Sequence, residues 1–196
     1  MIAAASPLLW YVTRATATVG LVLLTGTSIL GILTLSRFGF TYWPRWATQA
    51  VHRATAIMAL VFIFLHVGST VFDTYVTVPL AAAVVPGVSP YRGLEVSLGT
   101  FAFDLILIVL VSSLVRSYIP IDLWRRLHYL TYVAAPVAFL HVLLLSTDAR
   151  KGSHWMLAVL GVCALSAVLA FMVRIARARS LRQRAVVLPT RTRRLK

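Results

Sequence analysis

Read from its N-terminus, the chain alternates long apolar runs with short polar breaks. The runs are Leu8–Leu35, Thr48–Phe72, Gly93–Val115, Asp122–Ser146 and Ser153–Val173. Each exceeds the ~20 residues that cross a ~30 Å hydrocarbon core, so each predicts a membrane-spanning helix. The longer ones must tilt or reach past the interface. The expected fold is an all-α membrane protein, a bundle of about five transmembrane helices in a multi-pass protein of the cell membrane. No basic n-region opens the chain and the first run is too long for a signal core, so it is kept as a span.

Polar residues set the direction of the bundle. The Ser36–Ala47 loop with Arg53, and the Arg116–Arg126 loop, hold three basic residues each, and Arg174–Lys196 holds nine of the nineteen. On the opposite side Arg92, Arg150 and Lys151 are offset by Asp73, Glu95 and Asp148. Positive-inside bias therefore predicts an outside N-terminus and a cytoplasmic C-terminus. The net charge of +14 is then mostly topology and not nucleic-acid recognition. Residues 1–173 read as the membrane domain. Residues 174–196 read as a basic tail, disordered or lying on anionic lipid, with a docking strip for a cytoplasmic partner as the sharper alternative.

The unusual chemistry is histidine. His52 and His66 lie on the second span, His128 and His141 on the fourth, with thirteen and twelve residues between them. Fourteen and thirteen helical steps amount to ~21 and ~20 Å, so two parallel helices present imidazoles at two matching depths. One histidine alone in a span is usually a hydrogen-bonded polar residue. Four at matched depths suit two stacked haems, each clamped between the helices by two imidazoles. Alanines at 56, 59, 134, 135 and 138 leave room for flat macrocycles, although they also suit close helix packing. Fourteen steps return to within ~40° of the starting face, but thirteen leave His141 ~140° from His128. A kink or local rewinding is therefore expected at Pro136.

The remaining candidates are weaker. Arg14, within the first span, calls for an anion: a haem propionate, Asp104 on the third span, or outer headgroups. Arg53, Arg125 and Arg126 adjoin His52 and His128, placed either for inner propionates or simply by positive-inside bias. Trp43, Trp46, Trp124 and Tyr118 read as an interfacial belt. Phe62, Phe64, Phe101 and Phe103 read as packing or an electron path. His154 reads as interfacial, and Cys163 as a small buried apolar residue. The proline-interrupted stretch "VTVPLAAAVVPGVSPYRG" is expected to cap the outer site. No nucleotide-binding glycine motif occurs, and no C-x-x-C-H, so haem b is preferred over haem c.

With these residues in hand, the chain resembles the ferric-reductase-like transmembrane superfamily, which includes NADPH oxidases, ferric reductases and the haem-binding subunit of methionine sulfoxide reductase. The two histidine intervals carry the likeness most specifically. The stretches "LWYVTRATATVG", "SPYRGLEVSLGTFAFDLILIVLVSSLVR" and "WRRLHYLTYVAAPVAFLHVLLLSTDAR" look like compact actinobacterial members. The resemblance implies that His52 pairs with His128 and His66 with His141. It also implies electron transfer through two haem b groups to an extracytoplasmic acceptor, a ferric chelate or a protein. The superfamily core usually has six spans where five are read here, and cytoplasmic flavin and nicotinamide domains usually follow. The donor is therefore expected to be separate, a flavoprotein reductase or quinol. Two alternatives stand beside this: a haem subunit passing quinol electrons to a partner reductase, and a haem-free transport or structural protein.

Overall fold

The computed structural model describes residues 8–35 and 44–187. Helix α1 (Leu8–Leu35) is followed by α2 (Arg45–Phe72), α3 (Gly93–Leu114), α4 (Ile121–His128), α5 (Thr131–Leu145), α6 (Thr147–Arg150) and α7 (His154–Val187). Five segments are long and apolar enough to cross a membrane: α1, α2, α3, α4 with α5, and α7. The chain is an all-helical, multi-pass membrane protein.

Local chemistry sets the breaks. Pro44 and Pro120, both extended, precede α2 and α4, where a residue without an N–H costs no helix hydrogen bond. Arg92 turns into α3 with φ 43, a left-handed conformation rare outside glycine. Its guanidinium meets Glu95, in the first turn of α3, at 2.5 Å. Asp122 opens α4 and Arg125 and Arg126 close it, each charge facing the favourable end of the helix dipole.

Helix α1 lies along α2 and also touches α5 and α7, while α3 lies along α5. Helix α2 packs chiefly on α1 and helix α5 chiefly on α3, so the two histidine-bearing segments meet mainly through side chains. Two apolar clusters hold the bundle. Leu21, Met156 and Leu160 join α1 to α7, and Phe139 and Val142 of α5 rest against them. Leu105, Ile106 and Ala134 meet Leu24, Leu60, Ile63 and Leu130, joining α1, α2, α3 and α5. Outward-facing Ile57, Leu65, Val111, Val162 and Leu165 are exposed, as lipid-facing side chains must be.

Two features differ from the sequence expectation. The fourth span breaks at Tyr129–Leu130, and α5 continues through Pro136. Around the break the N–H groups of Leu130, Tyr132 and Val133 bond three residues back, to Leu127, Tyr129 and Leu130, each at 3.0 Å. Such tightened winding gains ~20° per residue, or ~60° over the turn, which closes part of the ~140° mismatch. The rewinding precedes the proline by about two turns. The second difference is α7, which continues past Val173 as helix to Val187 instead of ending in an irregular tail. Residues 188–196 lie outside the described residues.

Candidate functional site

The imidazoles meet in two pairs. His52 and His128 have ring centres 6.3 Å apart and planes at 68°, and His66 and His141 stand 6.2 Å apart at 70°. Leu60 and Ile63 on α2, Leu130 at the break and Ala134 on α5 fall between the pairs, within the apolar cluster that includes Leu105 and Ile106.

Three of the four rings are oriented by backbone. Nδ1 of His52 donates to the Thr27 carbonyl at 3.0 Å, and Nδ1 of His66 to the Thr13 carbonyl at 3.0 Å. Nδ1 of His141 donates to the Glu95 carbonyl at 2.7 Å. A carbonyl only accepts, so these bonds place the proton on Nδ1 and leave Nε2 as the free lone pair. Thr13 and Thr27 are fourteen residues apart on α1, the interval of His52 and His66 on α2. The two antiparallel helices therefore repeat one contact at two depths.

Each accepting carbonyl has a small residue four positions further along its helix: Ala17, Gly31 and Gly99. The side chain at that position would otherwise lie over the carbonyl. At Gly31 an added Cβ would come within 3.3 Å of the His52 ring. At Gly99 it would come within 2.5 Å of the His141 ring, so any larger residue would push that imidazole out of its present position. Sequence reasoning passed over both glycines and all three carbonyls. The one available signal was a glycine four residues after a residue facing a histidine.

His128 is held differently. Its ring stacks on Trp124, centres 4.9 Å apart and planes at 27°, and the Arg116 guanidinium lies 4.5 Å from the centre of the same indole. His128 Nδ1, Trp124 Nε1 and Thr27 Oγ1 are buried with no hydrogen-bond partner among the described residues. Trp124 is thus an inward-stacked ring, not part of an interfacial belt. Trp46 and Tyr118 are exposed as a belt requires, and Trp43 lies outside the described residues.

An open cavity of about 240 Å³ lies at the His66–His141 pair. His66 and His141 line it, with Arg14, Asp148, Thr70 and Phe103. Val78, Ala82 and Tyr91 of the segment joining α2 to α3 close one side, as the capping expectation required. That segment is tied to α3: Thr100 Oγ1 donates to the Ala82 carbonyl at 2.5 Å, and Gly87 N–H donates to Ser97 Oγ at 2.7 Å.

Arg14 reaches this cavity, but its carboxylate partner is Asp148, on α6, and not Asp104. It also lies 4.2 Å from the centre of the Trp10 ring. The outer loop turns back over the bundle, so an acid far along the chain arrives before one at mid-membrane does. Asp104 sits on the outward stripe of α3 with Phe101 and Ile108 and has no ion-pair partner among the described residues. Phe103 is buried and meets Phe64 edge-on at 5.5 Å. Arg53 and Arg126 are exposed, and Arg125 pairs with Asp122 at 3.1 Å. His154 is exposed at the start of α7 and Cys163 is buried, as expected.

The family called ferric reductase like transmembrane component matches residues 15–139. The chain belongs to this family. The matched stretch contains His52, His66 and His128 and stops two residues short of His141; α6 and α7 lie beyond it. No curated protein and no solved structure matches the chain. Membership in the ferric-reductase-like family points to transmembrane electron transfer.

Proposed function

We propose that this ferric-reductase-like protein carries electrons across the membrane through two b-type haems, one between His52 and His128 and one between His66 and His141. The separation of the paired rings carries this reading. Two imidazoles on opposite sides of one metal ion, with metal–nitrogen bonds of ~2 Å and ~1 Å more from nitrogen to ring centre, stand about 6 Å apart. Both pairs have that separation. The Nδ1 bonds fit as well, because a ligating histidine generally donates its other N–H to a carbonyl or carboxylate.

A haem held in each pair supplies a one-electron couple. The chain's own residues do the rest. The carbonyls of Thr13, Thr27 and Glu95 fix ring direction and raise ligand basicity. Leu60, Ile63, Ile106 and Ala134 form an apolar septum between the pairs, a lining that suits electrons better than protons or cations. That septum is the observation against a haem-free transport path. Arg53, Arg126 and Arg116 lie toward the inner pair, which the arginine distribution puts on the cytoplasmic side. Arg14 with Asp148 forms part of the outer wall, beside the exit to an extracytoplasmic acceptor.

The test is single-ligand removal. His66→Ala and His141→Ala should each abolish the outer haem and leave about half the wild-type Soret absorbance, while His52→Ala and His128→Ala should do the same for the inner one. Full haem content in any of the four variants contradicts the pairing.

A further inference from the structure

The inner end of the bundle has a feature that ligation alone does not require. Trp124 stacks on His128 and carries Arg116 over its ring, yet its Nε1–H is buried without an acceptor, as is the ring nitrogen of His128. An interfacial tryptophan normally points its N–H to headgroups or water. Around the stack the charge is one-sided. Arg116, Arg125 and Arg126 are exposed, and the acid among them, Asp122, is held by Arg125 in a solvent-exposed pair of the kind worth little. Helix α4 is set off from α5 by the break at Tyr129–Leu130, so these residues form a separate ledge over the inner histidine pair.

From this juxtaposition we infer that the Arg116–Trp124–Arg126 ledge receives an anionic electron donor, the acidic surface of a soluble redox protein, and that the Trp124 indole is the contact through which the donor reaches the inner pair. The inference rests on the proposed function. Arginines explain attraction and orientation, since a one-signed patch steers an oppositely charged partner and does so less as salt rises. Positive-inside bias alone would account for the arginines but not for an aromatic ring laid against a ligand imidazole. The stack shortens the gap an electron must cross between a docked donor and His128. In the step the donor loses one electron and the group held by His52 and His128 gains it; no bond in the chain forms or breaks. Trp124 acts here as a positioning and contact residue, not as a ligand.

Two small probes with the same redox ring separate charge from driving force: reduced flavin mononucleotide, which carries a phosphate, and reduced lumiflavin, which does not. Full-length haem-loaded protein in nanodiscs would be mixed with each in a stopped-flow instrument, and Soret reduction followed at low and at ~0.5 M salt, where the screening length falls to a few ångströms. Reduction by the phosphorylated flavin should be at least severalfold faster at low salt, and that advantage should vanish at high salt. In Arg116→Gln/Arg125→Gln/Arg126→Gln the ratio of the two flavin rates should fall to its high-salt value, a ratio that cancels any change in the haem itself because such a change slows or speeds both flavins alike. Trp124→Leu should slow both flavins without altering the oxidised spectrum, and Trp124→Phe, which keeps a stacking ring, should restore much of the rate. Equal rates for the two flavins, indifferent to salt and to the arginines, would overturn the inference. So would a neutral quinol that reduces the protein faster than either flavin and ignores both Trp124 and the arginines; electron input would then belong to a lipid-soluble donor. Should Trp124→Leu lose haem, the salt and arginine arms on protein with native Trp124 still decide. Protein that takes up no haem at all fails the proposed function itself, a result distinct from haem that is present but indifferent to charge.

Discussion

An imidazole in hydrocarbon costs least when both of its nitrogens are satisfied. His52, His66 and His141 each satisfy one by donating from Nδ1 to a helix carbonyl, and the proposed haems would occupy the other. Gly99 is the residue that permits this most stringently. Gly99→Ala should displace His141 and weaken retention of the outer haem by ~10–100-fold, the range for loss of a ligand's supporting contact. Gly31→Ala should do less at the inner site, since its Cβ would meet only the ring edge at 3.3 Å. Haem titration of the purified variants measures both, and an unperturbed outer site in Gly99→Ala would remove the carbonyl-and-glycine cradle from the account. These contacts were not legible in the sequence, because a backbone acceptor has no residue signature. Which carbonyl meets which ring is decided by how the helices pack. Arg14 was misjudged for the same reason: its partner Asp148 looked like one more loop acid until α6 folded back over the bundle.

At the scale of helices, hydropathy was sufficient for the spans and insufficient for their phase. The first run and α1 coincide at Leu8–Leu35, and α2 and α3 differ from their runs by only a few residues. Helix α7 outruns its apolar stretch because "IARARSLRQRAVV" is made largely of good helix formers, whose propensity does not depend on burial. The thirteen-step interval in the fourth span announced a phase problem, and the chain solves it with the tightened turn at Leu127–Val133, not at Pro136. Helices α1 and α2 keep a fixed antiparallel register that sets Thr13 against His66 and Thr27 against His52. A Cβ built on Gly20 would stand 3.9 Å from that of Phe62, a disulfide-forming separation. Gly20→Cys/Phe62→Cys, with Cys163→Ala to remove the native thiol, should therefore cross-link on mild oxidation. A non-reducing gel mobility shift reports it. Failure to link, with both thiols reactive, would contradict the register on which the two histidine contacts depend.

For the whole molecule, the arrangement amounts to a helical bundle with two histidine pairs at different depths, an apolar cluster between them, and an open cavity at the His66–His141 pair. Fold class and the four histidines could be read from the chain, because hydrocarbon makes both length and polarity conspicuous. The pairing of those histidines could be taken only from resemblance until the ring separations were known. Donor and acceptor leave weaker marks, since redox partners are recognised by surfaces whose residues serve topology as well. The most direct test of the central claim is the haem stoichiometry of purified full-length protein, with oxidised and dithionite-reduced spectra and a carbon monoxide challenge. Two haems per chain with low-spin spectra that carbon monoxide leaves unchanged are predicted, because histidine would fill both axial positions of each iron. Colourless protein despite ample haem supply, or a single carbon-monoxide-reactive haem, would contradict the paired-histidine account.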